Sequence, residues 1–173
     1  MISLRRDRGP ERQVADDDVL ARLWDCHARI RRTSAEARAL AALAGGDRDP
    51  RAAASARDVS GYFERGLLLH AEDEDLSIAP LLPSSCASVV AELAAQHHEI
   101  ESRIAALSPA WARRAQGEPL GAGAEAHRED VDALVALLDR HLALEEATLF
   151  PAIAALPASA RRDIVGQMRA RRR

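Results

Sequence analysis

Two stretches of the chain, "HAEDEDLSIAP" at 70–80 and "HLALEEATLFP" at 141–151, each place a glutamate four residues after a histidine and a proline ten residues after it. In both, the glutamate (Glu74, Glu145) is followed by a second acid (Asp75, Glu146), a hydroxyl (Ser77, Thr148), an aliphatic residue (Ile78, Leu149) and the proline (Pro80, Pro151). On a helix, positions i and i+4 stand one turn apart on the same face, so His70 with Glu74, and His141 with Glu145, can reach one point. A further histidine precedes each pair: His27 lies 43 residues before His70, and His97 lies 44 before His141. The pattern H…HxxxE thus occurs twice, as in a duplicated helical hairpin whose halves are related by an approximate twofold.

Each of these histidines sits in an apolar helical stripe. His27 has Leu20, Leu23, Trp24 and Ile30 around it, and His70 has Phe63, Leu67 and Ile78. His97 lies among Val90, Leu93, Ala94, Ile100 and Ile104, and His141 among Leu134, Leu137, Leu138, Leu144 and Leu149. An ionised carboxylate in such a stripe is costly unless a cation or hydrogen bonds compensate it, and two facing carboxylates also repel. A pair of divalent or trivalent metal ions removes both penalties, with carboxylates bridging and imidazoles completing each shell. A lone HxxxE is often a solvated pair, and a lone core histidine is more often hydrogen-bonded than a ligand. Four histidines in four stripes with a duplicated HxxxE point instead to metal binding by His27, His70, Glu74, His97, His141 and Glu145. The prolines cannot donate backbone hydrogen bonds, which frees the carbonyls of Leu76 and Ala147 and predicts that each helix ends or kinks there.

The elements that would position these residues are marked by breakers. "ADDD" at 15–18 reads as a helix start and Gly45-Gly46 as a stop; Asp49-Pro50 reads as an N-cap with proline in the first turn. Pro83-Ser84-Ser85 gives a break and a new cap, and "GEPLGAG" at 117–123 a loop. Four long helices result, at roughly 17–44, 50–79, 85–116 and 122–155. Short connections between long helices favour an all-α, antiparallel up-down four-helix bundle that turns the histidine faces towards one core. The expected organisation is an N-terminal arm at 1–14, the bundle at 15–156 and a short basic helix or solvated tail at 157–173.

At 173 residues the chain can bury a core without metals or disulfides merely to fold. It is rich in Ala and Leu and has Arg but no Lys, a composition that favours helices. A net charge of −3 gives no global attraction to nucleic acid, although "RRDIVGQMRARRR" makes the C-terminus locally basic. No apolar run approaches a membrane span or a signal-peptide core, so a cytoplasmic location without membrane partners is expected. Cys26 and Cys86 have no metal-type spacing and read as small buried residues. His98 points about 100° away from His97, towards the surface or the outer edge of the site. His127 reads as a helix-start residue near the bundle mouth, and Tyr62 as a core-edge tyrosine.

With these residues in view, the sequence resembles the hemerythrin-like, or HHE cation-binding, family of four-helix non-haem di-iron proteins. The resemblance covers about residues 15–156, and its most specific piece, "HLALEEATLFP", follows that family's H-x-x-x-E-E-x-x-L-F-P signature. It implies His27 and His70 on one iron and His97 and His141 on the other. Glu74 and Glu145 would bridge the two irons, with an oxo or hydroxo group as a third bridge; zinc or manganese would suit the same donors. Hemerythrin proper has a further histidine four residues after the one on its third helix, where this chain has Glu101; the matching position in the first half is Arg31. Glu101 is therefore an additional candidate ligand, with a surface ion pair to Arg103 or another arginine of the neighbouring segments as its structural alternative. The four-histidine, two-glutamate set is similar to the di-iron domain of proteins that repair iron-sulfur centres.

These resemblances imply a protein that binds or senses O2 or NO more than a dedicated enzyme. The alternatives are a di-iron redox enzyme acting on NO or peroxide, and an iron donor for iron-sulfur repair. A sensing or redox role implies a signalling or redox partner protein.

Overall fold

Residues 18–43 and 50–173 are described in the computed structural model. The expected N-terminal arm, most of the "ADDD" start, the Gly45-Gly46 stop and the cap at Asp49 lie outside them. Among the described residues there are five helices and no strand. Helix α1 is Val19–Ala42. Asp18 caps it from an extended backbone, its carboxylate accepting from the backbone N–H of Leu20 at 2.9 Å.

Helix α2 runs over 50–78 and changes pitch along its length. An α-helical start, Pro50–Gly61, passes into a π-helical turn at Tyr62–Leu67, returns to α over Leu68–Asp73, and widens again at Glu74–Ile78. A 3-10 turn, Ala79–Leu81, then ends it. Helix α3 is Ala87–Ala115. It stops where Gly117 takes a left-handed φ of 79° and Glu118 N–H turns back to Arg113 O at 3.1 Å. Helix α4 runs over 124–154, with a π turn at Glu145–Leu149 between Ala124–Leu144 and Phe150–Ala154. Helix α5 is Ala158–Arg171.

The two late π turns begin at the paired glutamates of the sequence motif. Ala79 N–H reaches back five residues to Glu74 O, and Phe150 N–H reaches back to Glu145 O. A proline ring clashes with the carbonyl four residues before it, and one extra residue in the turn relieves that clash. At Pro80 the helix tightens and stops, as the sequence predicts. At Pro151 the helix does not end: the π turn absorbs the proline and the helix continues to Ala154, close to the limit of 155 expected from the sequence.

Around the bundle, α1 packs on α2 and α4, and α3 packs on the same two helices, which closes a four-membered ring. The core divides into two apolar clusters. One contains Ile30, Leu67, Ile100, Trp111, Leu134 and Leu138; the other contains Leu23, Ile78, Leu93, Leu149 and Ile153. Every candidate histidine lies in sequence between members of the two clusters, so the polar residues form a slab across the bundle. Helix α5 covers the second cluster with Ile164, Val165 and Met168. The basic C-terminal segment is thus a docked helix, which corrects the solvated-tail alternative.

Candidate metal centre

Four helices each deliver one imidazole into the slab: His27 from α1, His70 from α2, His97 from α3 and His141 from α4. All four are buried, as are Glu74 and Glu145. Their donor atoms form two groups, His27, His70, Glu74 and Glu145 in one and Glu74, His97, His141 and Glu145 in the other. Within each group the atoms lie within 4.8 Å of one another, the two carboxylates being shared. Glu145 Oε2 is 2.8 Å from His27 Nε2, and its Oε1 is 2.5 Å from His141 Nε2. Glu74 Oε2 is 3.3 Å from His97 Nε2, and its Oε1 is 3.6 Å from His70 Nε2.

The outer side of the site fixes which nitrogen faces inwards. His27 Nδ1 donates to Glu146 Oε1 at 2.7 Å, His97 Nδ1 to Asp75 at 3.2 Å, and His141 Nδ1 to Gln96 Oε1 at 3.0 Å. Carboxylate and amide oxygens only accept, so in these three rings Nδ1 carries a proton and Nε2 is left facing inwards, free to hold either a proton or a metal. These supports cross between the halves of the duplication. Asp75, from the first motif, holds the first histidine of the second half; Glu146, from the second motif, holds the first histidine of the first half. Arg31 steadies Glu146 at 2.8 Å, which explains an arginine where Glu101 stands in the other half. The sequence reading left Asp75, Glu146 and Gln96 without a role. The repeated acid at +5 was the available signal for the first two.

The inward atoms fit a cation. His27 Nε2, His70 Nε2, His97 Nε2 and both oxygens of Glu74 and Glu145 are buried without a hydrogen-bond partner. So many converging acceptors and lone pairs, unpaired in a buried layer, would be severely destabilising without positive charge. In the metal-free chain protons supply it. Burial favours neutral His70, but Glu74, Cys26 and Glu145 outweigh it and hold His70 well above its ordinary value. Burial pushes Glu74 up, and the neighbouring Glu145 adds to that. Burial also opposes the charge of Glu145, yet the close approach of the His141, His27 and His70 imidazoles holds it well below the usual carboxylate range. The bare site takes up protons where an imidazole and carboxylate set would hold cations.

Several other residues lie differently from expectation. Glu101 is exposed and joins neither donor group. It lines a cavity of about 10 Å3 beside His70, His97 and His141. Arg103 pairs with Glu99 instead of Glu101. Trp24, placed by its spacing in the buried stripe, is 49% exposed and stands edge-on to His27 and Phe150. Neither cysteine is fully buried. His98 is exposed. Tyr62 is half-buried, its hydroxyl pushed up to about 12 chiefly by burial. His127 is buried near the start of α4, its ring 6.5 Å from that of Trp111.

No helix among the described residues is long and apolar enough to cross a membrane. No curated protein and no solved structure matches the chain. The family model for the hemerythrin HHE cation binding domain matches residues 18–153, which span all six residues of the His/Glu slab. The chain accordingly belongs to the hemerythrin HHE cation-binding domain family.

Proposed function

We propose that His27, His70, His97, His141, Glu74 and Glu145 hold two non-haem iron ions and that the protein binds or senses O2 or NO there. The observation behind this reading is the convergence of unpartnered buried lone pairs and carboxylate oxygens on two adjacent points. Iron, when bound, supplies a one-electron redox couple and a coordination position open to exchange. Four imidazoles and two shared carboxylates would leave part of each ion's shell to small ligands.

The surroundings favour a small neutral ligand. The cavity beside His70, His97 and His141 is walled by Leu67, Ile100 and Ile104 and measures about 10 Å3. That is room for the centre of one water-sized molecule. Its apolar walls disfavour a charged guest. A second reading, a redox enzyme acting on NO or peroxide, is favoured by one feature: exposed Glu101 lies at the cavity edge, where a carboxylate can pass protons to or from solvent.

Metal analysis of protein purified without oxygen tests the reading, followed by optical spectra on adding O2, NO and peroxide in turn. About two metal ions per chain are expected, with metal lost in Glu74→Ala and Glu145→Ala. A band that forms with O2 and disappears under argon supports binding; sustained consumption of NO or peroxide supports the enzyme. Full metal retention in both variants would overturn the site.

A further inference from the structure

The duplication allows one half of the site to be compared with the other. In each half the two imidazoles are neighbours: the ring centroids of His27 and His70 lie 5.4 Å apart, and those of His97 and His141 lie 4.8 Å apart. The residue directly before the first histidine is Cys26 in the first half and Gln96 in the second. Gln96 reaches from α3 to α4, where its Oε1 accepts from Nδ1 of His141 at 3.0 Å. Nothing does the same for His70, whose Nδ1 is buried without a hydrogen-bond partner. Glu146 and Asp75 hold Nδ1 of His27 and His97. Both rings of the second half are therefore held from outside, but only one ring of the first.

This difference bears on metal affinity. A neutral imidazole carries one proton, and when Nε2 faces a metal that proton must sit on Nδ1. At His27, His97 and His141 an oxygen acceptor already fixes that tautomer and the direction of the ring. At His70 the same tautomer buries an N–H with nothing to receive it, which is costly. His70 is also the ring set furthest from the shared carboxylates, its Nε2 lying 3.6 Å from Glu74 and 3.7 Å from Glu145. The nearest such contacts of His27, His97 and His141 are 2.8, 3.3 and 2.5 Å. Glu146 holds His27 more closely than Asp75 holds His97, at 2.7 against 3.2 Å. A missing acceptor on a buried ring nevertheless outweighs a longer one.

We propose that the two metal positions are unequal: the chain fills the His97 and His141 position first and gives up the ion at His27 and His70 first, with Gln96 the positioning residue that sets the order. This rests on the reading of the six residues as a two-metal centre. A chain so built passes through a state that holds one ion, and the exchangeable ion belongs to the half in which Cys26 replaces Gln96.

Zinc, which has no redox chemistry of its own, is the probe. It is titrated into the full metal-free chain carrying 15N in its histidine rings, and the four Nε2 resonances are followed separately. His97 and His141 are expected to respond over the first equivalent and His27 and His70 over the second, with about a tenfold difference in affinity. A first response at His27 and His70, or a simultaneous response of all four rings, overturns the order. In Gln96→Ala the two affinities are expected to draw together by about tenfold, whereas Gln96→Glu, which keeps an acceptor oxygen, is expected to retain the wild-type order. An unchanged difference in Gln96→Ala, or a lost one in Gln96→Glu, overturns the role of Gln96. Failure of the metal centre looks different: none of the four rings then responds to zinc, whereas zinc taken up by all four together refutes only the inequality.

Discussion

Arg171 Nη1 donates to Asp73 Oδ1 at 2.7 Å, tying the end of α5 to the residue directly before Glu74 across 98 positions of sequence. Arg172 Nη2 donates to Oδ2 of the same carboxylate at 2.5 Å, and Arg171 also holds Ser77. Asp73 is fully buried, while both arginines keep some exposure. Removing Asp73 lets the arginines turn to water, whereas removing both arginines strands a buried carboxylate. Asp73→Ala is therefore expected to cost about 2 kcal/mol, and the Arg171→Ala, Arg172→Ala double variant about 3 kcal/mol or more. Urea unfolding of the metal-free chain measures both, and the reverse order would refute this account.

The outer partners of the imidazoles should be felt in metal affinity. Glu146 holds His27 at 2.7 Å and is itself steadied by Arg31, while Asp75 holds His97 at 3.2 Å from a more exposed position. Loss of such a partner typically weakens metal binding about tenfold or more. Glu146→Ala is expected to reach that figure and Asp75→Ala to fall short of it. Competition with a chelating dye gives the two constants. Unchanged affinity in Glu146→Ala would show that the His27 ring is oriented by its packing against Phe150 instead.

The inner residues of the slab were legible in the sequence because each motif is local: His70 with Glu74 and His141 with Glu145 are one turn apart, and apolar stripes mark which face is buried. The outer residues were not, because their contacts are long-range. Glu146 meets His27 across 119 positions, and nothing near His27 announces it. Asp73 lies in the acidic run "EDED", which reads as a solvated face until α5 is known to dock there. The prolines signalled a disturbance after each glutamate, but a sequence pattern alone does not say that at Pro80 the chain tightens and stops while at Pro151 a wider turn keeps the helix going. Exposure of Trp24 escaped the stripe rule because a large ring at the stripe edge can cover Phe150 from outside.

Proton occupancy of the bare site sets a pH dependence. His70 is held well above its ordinary value by Glu74, Cys26 and Glu145 against burial, and His97 is raised against burial by Glu74, Asp75 and Glu145. A base raised on folding stabilises the fold below its unfolded pKa, near 6.5, and that contribution is lost as pH rises through the folded value. Glu74, raised chiefly by burial, acts in the same sense, since the folded state again binds more protons. Glu145 acts oppositely, but its contribution is lost only on the acid side of about 4.5. Stability of the metal-free chain is thus expected to fall as pH rises above the ordinary imidazole value of 6.5, while metal affinity rises as the imidazoles lose their protons. Urea titrations with and without metal test this, and metal-free stability that is flat or increasing over that range would contradict it.

Glu101 offers a way to tell a gate from a ligand. It is exposed at the edge of the small cavity and lies outside both donor groups, so Glu101→Ala is expected to leave metal content unchanged. Its charge nevertheless lines the small cavity beside His70, His97 and His141, where it repels an anion that enters there. Removing a carboxylate a few ångströms from the path lowers the barrier for azide but not for uncharged NO, and salt screens the effect. Azide should therefore associate severalfold faster with the variant at low ionic strength, the difference shrinking as salt is added, with NO association unchanged. Stopped-flow traces for the two ligands supply the comparison. Loss of metal in Glu101→Ala would place the carboxylate on the metal, and equal changes for azide and NO would point to a change of cavity shape in place of charge.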